Sequence, residues 1–280
     1  MLQKHGFNIR KLVPFSENIL RPGYLPLKSF KPKIRILIER EKFIIKTAEN
    51  HEELAKALRL RYEVFYRELL EKRILTGIDL DRFDFTCDHL LIIDKTTNKF
   101  IGTYRLISSL FAKKYYSATE FKLDNIIKTP GIKLELGRAC VHRDYRNGST
   151  ISLLWRGITE YMKTTGTQFL FGCSSIMTTN KKEIAAVYKR LLSHLAPPQF
   201  LAEPKGRYRI HNFENIVESV SQEEMENASE LVPNLVKSYL NLGACICGQP
   251  ALDKKFKCAD LLTLVDLETS TDRFHRKYKV

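Results

Sequence analysis

The sequence predicts a mixed α/β domain, and three observations predict it. Apolar runs of strand length alternate with amphipathic helical stretches along the chain. With 280 residues, 44% of them hydrophobic and 10% aromatic, the chain can bury a sizeable core, which excludes wholesale disorder. No internal repeat or low-complexity tract imposes another architecture.

Residues 1–35 carry eight Lys/Arg against one acid, Glu17, and Pro14, Pro22, Pro26 and Pro32 break their apolar stretches before a signal-peptide core develops. They read as a basic N-terminal arm preceding one domain over 36–280 that ends in a C-terminal extension. Two uses of the arm stand open: docking against the domain, or contact with an anionic membrane. Ile34–Ile38 and Phe43–Ile45 then read as short strands. Residues 52–71 read as one helix, with Leu54, Leu58, Phe65 and Leu69 on a common face. His89–Asp94 and Lys99–Ser108 flank Lys-Thr-Thr-Asn and form a hairpin. A strand follows over 133–142, then a polar turn from Arg143 to Thr150. Next comes a helix carrying Ile151, Leu154, Trp155, Ile158 and Met162 at helical spacing. A buried strand over 168–174, helices near 181–195 and 232–242, and a last strand near 261–267 complete the order.

Charge narrows the partners. Lys and Arg outnumber Asp and Glu by 46 to 32, so the molecule carries +14 and attracts anions. Nucleic acid, an anionic membrane, a phosphorylated cofactor and an acidic carrier protein all qualify. A nucleic-acid module is disfavoured, because no helix-turn-helix, zinc finger or aromatic RNA-binding motif is present. The six cysteines have no CxxC or Cys/His spacing, so no metal site is expected and a reduced cytoplasmic setting fits. No run approaches the roughly 20 apolar residues that cross a bilayer.

Three places carry chemistry. The turn Arg143-Asp-Tyr-Arg146-Asn-Gly148-Ser149 opens a helix, whose unpaired N–H groups and positive end suit a phosphate; it reads equally as a solvated surface turn. Glu135, on the strand before it, can take a proton from an ammonium nucleophile or form an ion pair with Arg138 or Arg105. Strand alternation puts residues 135, 137 and 139 on one face and 136, 138 and 140 on the other. Asp79, Asp81 and Asp84 are a solvated acidic loop or a holder for a substrate ammonium. Cys140 reads as a core residue, lacking a convincing His partner.

Taken together, these pieces resemble the GNAT-type acyltransferases that include acyl-homoserine lactone synthases and ornithine-lipid N-acyltransferases, the latter often labelled hemolysin-like. Arg61-Tyr-Glu-Val64-Phe65, Asp79-x-Asp81-x-x-Asp84, Gly102-Thr-Tyr-Arg105-Leu106 and Glu135-x-x-Arg138 carry the likeness in order. The ornithine-lipid branch adds the stretch from Glu135 through Gly148, then Leu154-Trp155-x-Gly157-Ile158. It also adds Tyr239-Leu-x-Leu-Gly243, Gly248-x-Pro250-Ala-x-Asp253 and Ala259-Asp260, so the likeness covers residues 43–270. The turn has one glycine where many acetyltransferases have two.

The resemblance implies a mostly antiparallel mixed sheet that splays between its fourth and fifth strands, here 133–142 and 168–174, around an acyl-pantetheine arm. It implies an N-acyltransferase, with an acyl group on acyl carrier protein, or coenzyme A, as co-substrate and an amino acid as acceptor. No resident cofactor is implied. Glu135 and Arg138 are the expected catalytic pair. Val141, Arg143, Arg146, Gly148 and Ser149 are expected to face the pantetheine and its phosphate. Arg61, Phe65, Asp79, Asp81, Asp84 and Arg105 are expected to shape the acceptor end. The expected setting is the cytoplasm, with peripheral attachment to the inner face of the membrane. An acyl-homoserine lactone synthase, which uses S-adenosylmethionine, is the rival within the resemblance.

Overall fold

The computed structural model describes residues 25–269. Most of the basic arm therefore lies outside the described residues, and only 25–35 of it can be placed. Strand β1 (Leu37–Glu39) and β2 (Phe43–Thr47) form the first hairpin. β1 starts later than expected: the Lys33 and Ile34 amides donate to the Asp88 carboxylate at 2.7 and 3.0 Å, so these residues bond a side chain instead of a ladder.

Helix α1 (His51–Arg61) begins where the Asn50 side chain accepts the Glu52 and Glu53 amides, and it buries Leu54, Ala55 and Leu58. The helix expected over 52–71 is not one α-helix. From Tyr62 to Leu69 the chain winds as a π-helix, closing with the Leu70 amide on the Phe65 carbonyl at 3.1 Å. Each wider turn takes an extra residue, so 3.6-residue spacing no longer predicts the buried face. Leu69 accordingly ends 51% exposed.

β3 (Asp88–Asp94) and β4 (Lys99–Ser108) pair as the expected hairpin. After β5 (Phe121–Lys122) and α2 (Asp124–Lys128), β6 (Ile132–Val141) joins β4 antiparallel. α3 (Gly148–Thr165) crosses over to β7 (Thr167–Ile176), burying Leu154, Trp155, Ile158 and Met162. It lies close on the sheet at Gly157, where a Cβ would come within 2.7 Å of Ile45 and Leu90. α4 (Lys181–Arg190), β8 (Glu203–Pro204), α5 (Phe213–Glu218), α6 (Gln222–Asn227) and α7 (Asn234–Leu240) follow. β9 (Cys245–Ile246), β10 (Ala251–Asp253) and β11 (Cys258–Asp266) complete the main sheet.

The main sheet runs β1-β2-β3-β4-β6-β7-β11-β10, with β9 also on β11. Every pairing in it is antiparallel except β6 with β7, which is parallel and spans only Ile132 to Glu135 against Thr167 to Phe171. Beyond Glu135 the two strands part, as the resemblance implies; the N-terminal β1 makes them fifth and sixth in the sheet. No helix among the described residues is long and apolar enough to cross a membrane.

Candidate active site

The acidic loop is built inward. Arg61 is 1% exposed and forks onto two carboxylates: its Nε reaches Asp79 at 2.8 Å and its Nη1 reaches Asp84 at 2.7 Å. Arg105 Nη1 meets Asp81 at 2.7 Å and Asp84 at 3.3 Å. Asp84 also accepts the Asp81 amide while Asp81 accepts the Phe83 amide, which locks the loop as a one-turn cap. Burial works to raise the Asp84 carboxyl, but Arg61 and Arg105 hold it well below the usual carboxylate range. This corrects both readings of the loop. Asp79 and Asp84 are neither solvated nor available to a substrate, and with Arg61 they form a sealed strut. Only Phe65 and Arg105 of the expected acceptor residues reach a cavity wall, while Asp81 keeps a quarter of its side chain exposed.

Arg138 corrects the alternation. Thr103 pairs with Cys140 but Arg105 pairs with Gly137, so Arg138 and Ala139 stand opposite Tyr104 alone. This bulge is made by a left-handed residue, Arg138 with φ of 52°. One inserted residue turns the following side chains over, and Arg138 comes to line the same cavity as Glu135. Its guanidinium lies 4.8 Å from the Tyr116 ring and 4.9 Å from Phe256, and it faces Asp79 and Asp81 at 3.4 and 3.5 Å.

Glu135 is 2% exposed and makes no ion pair with Arg138 or Arg105. Instead its carboxylate accepts the Tyr116 amide at 2.7 Å, the Ser117 amide at 2.6 Å and the Ser117 hydroxyl at 2.5 Å. Burial pushes its pKa up, and the Ser117 donors pull part of the way back. Tyr116 and Ser117 were not singled out from sequence. Two of the three donors are backbone amides, which any residue except proline supplies, and only the Ser117 hydroxyl is a side-chain signal.

Glu135 stands where β6 and β7 separate. From Leu136 on, β6 has no strand partner on that side, leaving backbone groups free for a ligand. The gap between the strands is lined by Tyr104, Leu136, Trp155, Gly172, Tyr239 and Val265, an apolar slot. It adjoins a cavity of about 240 Å³ that holds Glu135, Arg138 and Phe65. Cys140 is buried, which pushes its thiol up to about 12, in keeping with a core role.

The turn before α3 is exposed and partly occupied by its own contacts. Arg146 pairs with Glu68 at 2.6 Å and donates to the Val141 carbonyl, and Ser149 donates to Asn147. Asn147 caps the helix through the Thr150 amide. Arg143 makes no ion pair among the described residues. A Cβ on Gly148 would meet nothing within 4 Å, so protein packing does not demand glycine there.

A family profile described as "Acetyltransferase (GNAT) domain" matches residues 60–156. An L-ornithine N(alpha)-acyltransferase of Rhodobacter capsulatus is 30% identical over 252 residues, covering 84% of this chain and 93% of that protein. The chain belongs to the ornithine N(alpha)-acyltransferase family. A second member of that family, from Brucella abortus, is 29% identical and covers 84% of this chain and 88% of its own. Among solved structures, the acyl-homoserine lactone synthase LasI aligns at 11% identity with a TM-score of 0.47, over 84% of this chain and 94% of that one. Membership of the family makes the protein an N-acyltransferase with a GNAT-type sheet.

Proposed function

We propose that the protein transfers a long-chain fatty acyl group, 3-hydroxylated or not, from the phosphopantetheine thioester of acyl carrier protein to the α-amine of an amino acid such as ornithine or glycine. The product is a lyso-aminolipid. The observation that carries this reading is the opening of β6 from β7 directly beside a buried, donor-held Glu135. A thioester laid along the freed edge of β6 presents its carbonyl near that carboxylate. Arg143 and the amides opening α3 lie at the far end of the same strand, where the phosphate would rest.

The neutral amine nitrogen attacks the thioester carbon. The C–N bond forms, Glu135 or a water it orients takes the amine proton, and backbone N–H groups of the freed edge, up to Val141, receive the oxyanion. The C–S bond then breaks and the sulfur leaves as the thiol, taking up the proton that Glu135 or its water had accepted from the amine. Arg138, clamped between the Tyr116 and Phe256 rings and facing two carboxylates, keeps the bulge in place beside the carbonyl. An amphiphilic product leaves into a membrane, and the basic arm serves that exit. Each Lys or Arg near an anionic surface adds roughly 1 kcal/mol of attraction. Cosedimentation with anionic liposomes, with and without residues 1–30, tests the arm; equal binding sinks that role.

The deciding experiment is mass spectrometry of the purified protein with long-chain acyl carrier protein or acyl-coenzyme A and a panel of ornithine, glycine, lysine, serine and S-adenosylmethionine. An N-acyl amino acid formed from the carrier-protein donor supports the proposal. A homoserine lactone moves the protein to signal synthesis, and failure of every pair overturns the donor and acceptor classes together.

A further inference from the structure

A second set of carboxylates lies at and just behind the cavity wall, apart from the acidic loop, and among the described residues no cation forms an ion pair with it. Glu120 ends the same short turn whose amides hold Glu135, and it is fully buried; Asp253 and Asp260, from β10 and β11, are 5% and 4% exposed. Ligand atoms of Glu120, Cys173 and Asp260 all lie within 4.8 Å of one another. Cys173, Ser175, Asp253 and Asp260 share the cavity wall with Glu135 and Arg138. Among the described residues none of the three acids forms an ion pair. The guanidinium nearest to hand, Arg138, already faces Asp79 and Asp81.

Their hydrogen bonds leave one position open. Asp260 Oδ1 accepts the Ser175 hydroxyl at 2.5 Å, and Asp253 Oδ1 accepts the Lys255 and Phe256 amides at 2.7 and 3.1 Å. The Glu120 carboxyl meets the Asp260 and Tyr116 side chains, its Oε2 takes a 3.9 Å contact from the Cys173 thiol, and its Oε1, fully enclosed, has no donor directed at it. A buried carboxylate oxygen without a donor is costly and calls for a ligand that donates. Burial first, and then the Asp260 carboxylate beside it, push Glu120 far above the usual carboxylate range.

We propose that Glu120 and Asp260, with Asp253 behind them, hold the distal ammonium of a dibasic acceptor amino acid and so set its α-amine beside Glu135. The inference rests on the reading of the protein as an amino-acid N-acyltransferase and adds the residues that select the acceptor. An ammonium fits better than a metal ion. The sulfur of the trio is a thiol that burial pushes well up, so a metal would have to strip a tightly held proton, whereas three N–H groups need only oxygens. Two separate amine positions also follow from the hydrogen bonds. Glu135 has three donors already, and the Ser117 hydroxyl and Cys173 thiol stand between it and Glu120. One ammonium cannot serve both carboxylates across those two side chains, whereas a molecule with an amine at each end can.

The test compares ornithine with norvaline, which has the same carbon chain and no distal amine, using the full-length chain. We expect a kcat/KM at least about 100-fold higher for ornithine, because a buried charge left unpaired rejects the neutral analogue. In Glu120→Gln and Asp260→Asn the ratio of the two substrates collapses to within a few-fold, through a rise in the ornithine KM. Calorimetric binding of ornithine is lost in parallel. Circular dichroism checks folding, and Asp253→Asn replaces any variant that does not fold. Equal use of both amino acids by the unaltered protein, an unchanged ratio in folded variants, or a stoichiometric zinc ion whose removal abolishes ornithine binding each overturn the inference. Glu120-dependent binding of ornithine with no acyl transfer to any amine overturns the acyltransferase reading instead and leaves this site standing.

Discussion

At Glu135 the protein sets one carboxylate against two amides and a hydroxyl and shields it from water. A glutamine there keeps one acceptor oxygen but turns an NH2 toward an amide that also donates. Glu135→Gln is expected to lower kcat about 100-fold or more and to cost on the order of 1–3 kcal/mol of stability. Acyl-transfer rates with thermal unfolding check both, and undiminished turnover removes Glu135 from the mechanism. Asp84 is the opposite case, a carboxylate that serves the fold. Its folded pKa is depressed by Arg61, Arg105 and His89, so its stabilisation is fully present above the unfolded value near 3.9 and is lost as pH falls below it. Asp84→Asn should cost roughly 3–5 kcal/mol near pH 7 by taking from buried Arg61 and Arg105 the carboxylate they share. The gap between variant and parent should close below about pH 4, as urea titrations at several pH values will show; a constant gap contradicts the assignment. The spacing of Asp79, Asp81 and Asp84 was legible in the sequence, but their duty was not. It depends on Arg61, Arg105 and Arg138 arriving from three other elements, and nothing local announces that.

The strands were legible as elements because apolar runs bounded by turn residues leave little choice: β3, β4, β6 and β7 lie within two residues of their expected bounds. Two irregularities were not. The π-helical turn after α1 and the bulge at Arg138 each insert one residue into a regular count, and regular counts are what periodicity reads. The seam between β6 and β7 is the other decisive element. At Gly172 a Cβ would stand 2.2 Å from the Leu136 carbonyl oxygen, a backbone atom that cannot swing away. Gly172→Ala is therefore expected to cost about 1–3 kcal/mol, as overpacking does, and to reduce turnover by changing the opening between the strands. Urea denaturation with parallel assays checks it; wild-type values for both would mean that the seam tolerates a wider gap.

Over the whole molecule, motif order gave the sheet and the family, and the charge gave only a class of partner. If an acidic carrier protein delivers the acyl group, the +14 field should speed the encounter. kcat/KM for acyl carrier protein is then expected to fall several-fold as salt rises from about 50 mM toward 500 mM, with kcat little changed, because the Debye length shrinks below the approach distance. A flat salt profile argues for a donor recognised by contact alone.

The position of β11 has a further consequence during synthesis. β7 is bounded on one side by a seam of a few residues, and its long partner lies about ninety positions later, with Phe169 paired to Asp266. Until that late strand leaves the ribosome, β7 has an open edge, and the acids of β10 and β11 are missing from the cavity. The nascent chain can assemble its N-terminal strands and the Arg61 strut early, yet it still lacks Asp253 and Asp260. If those acids hold the acceptor as proposed, catalytic competence comes only with the last strand of the sheet.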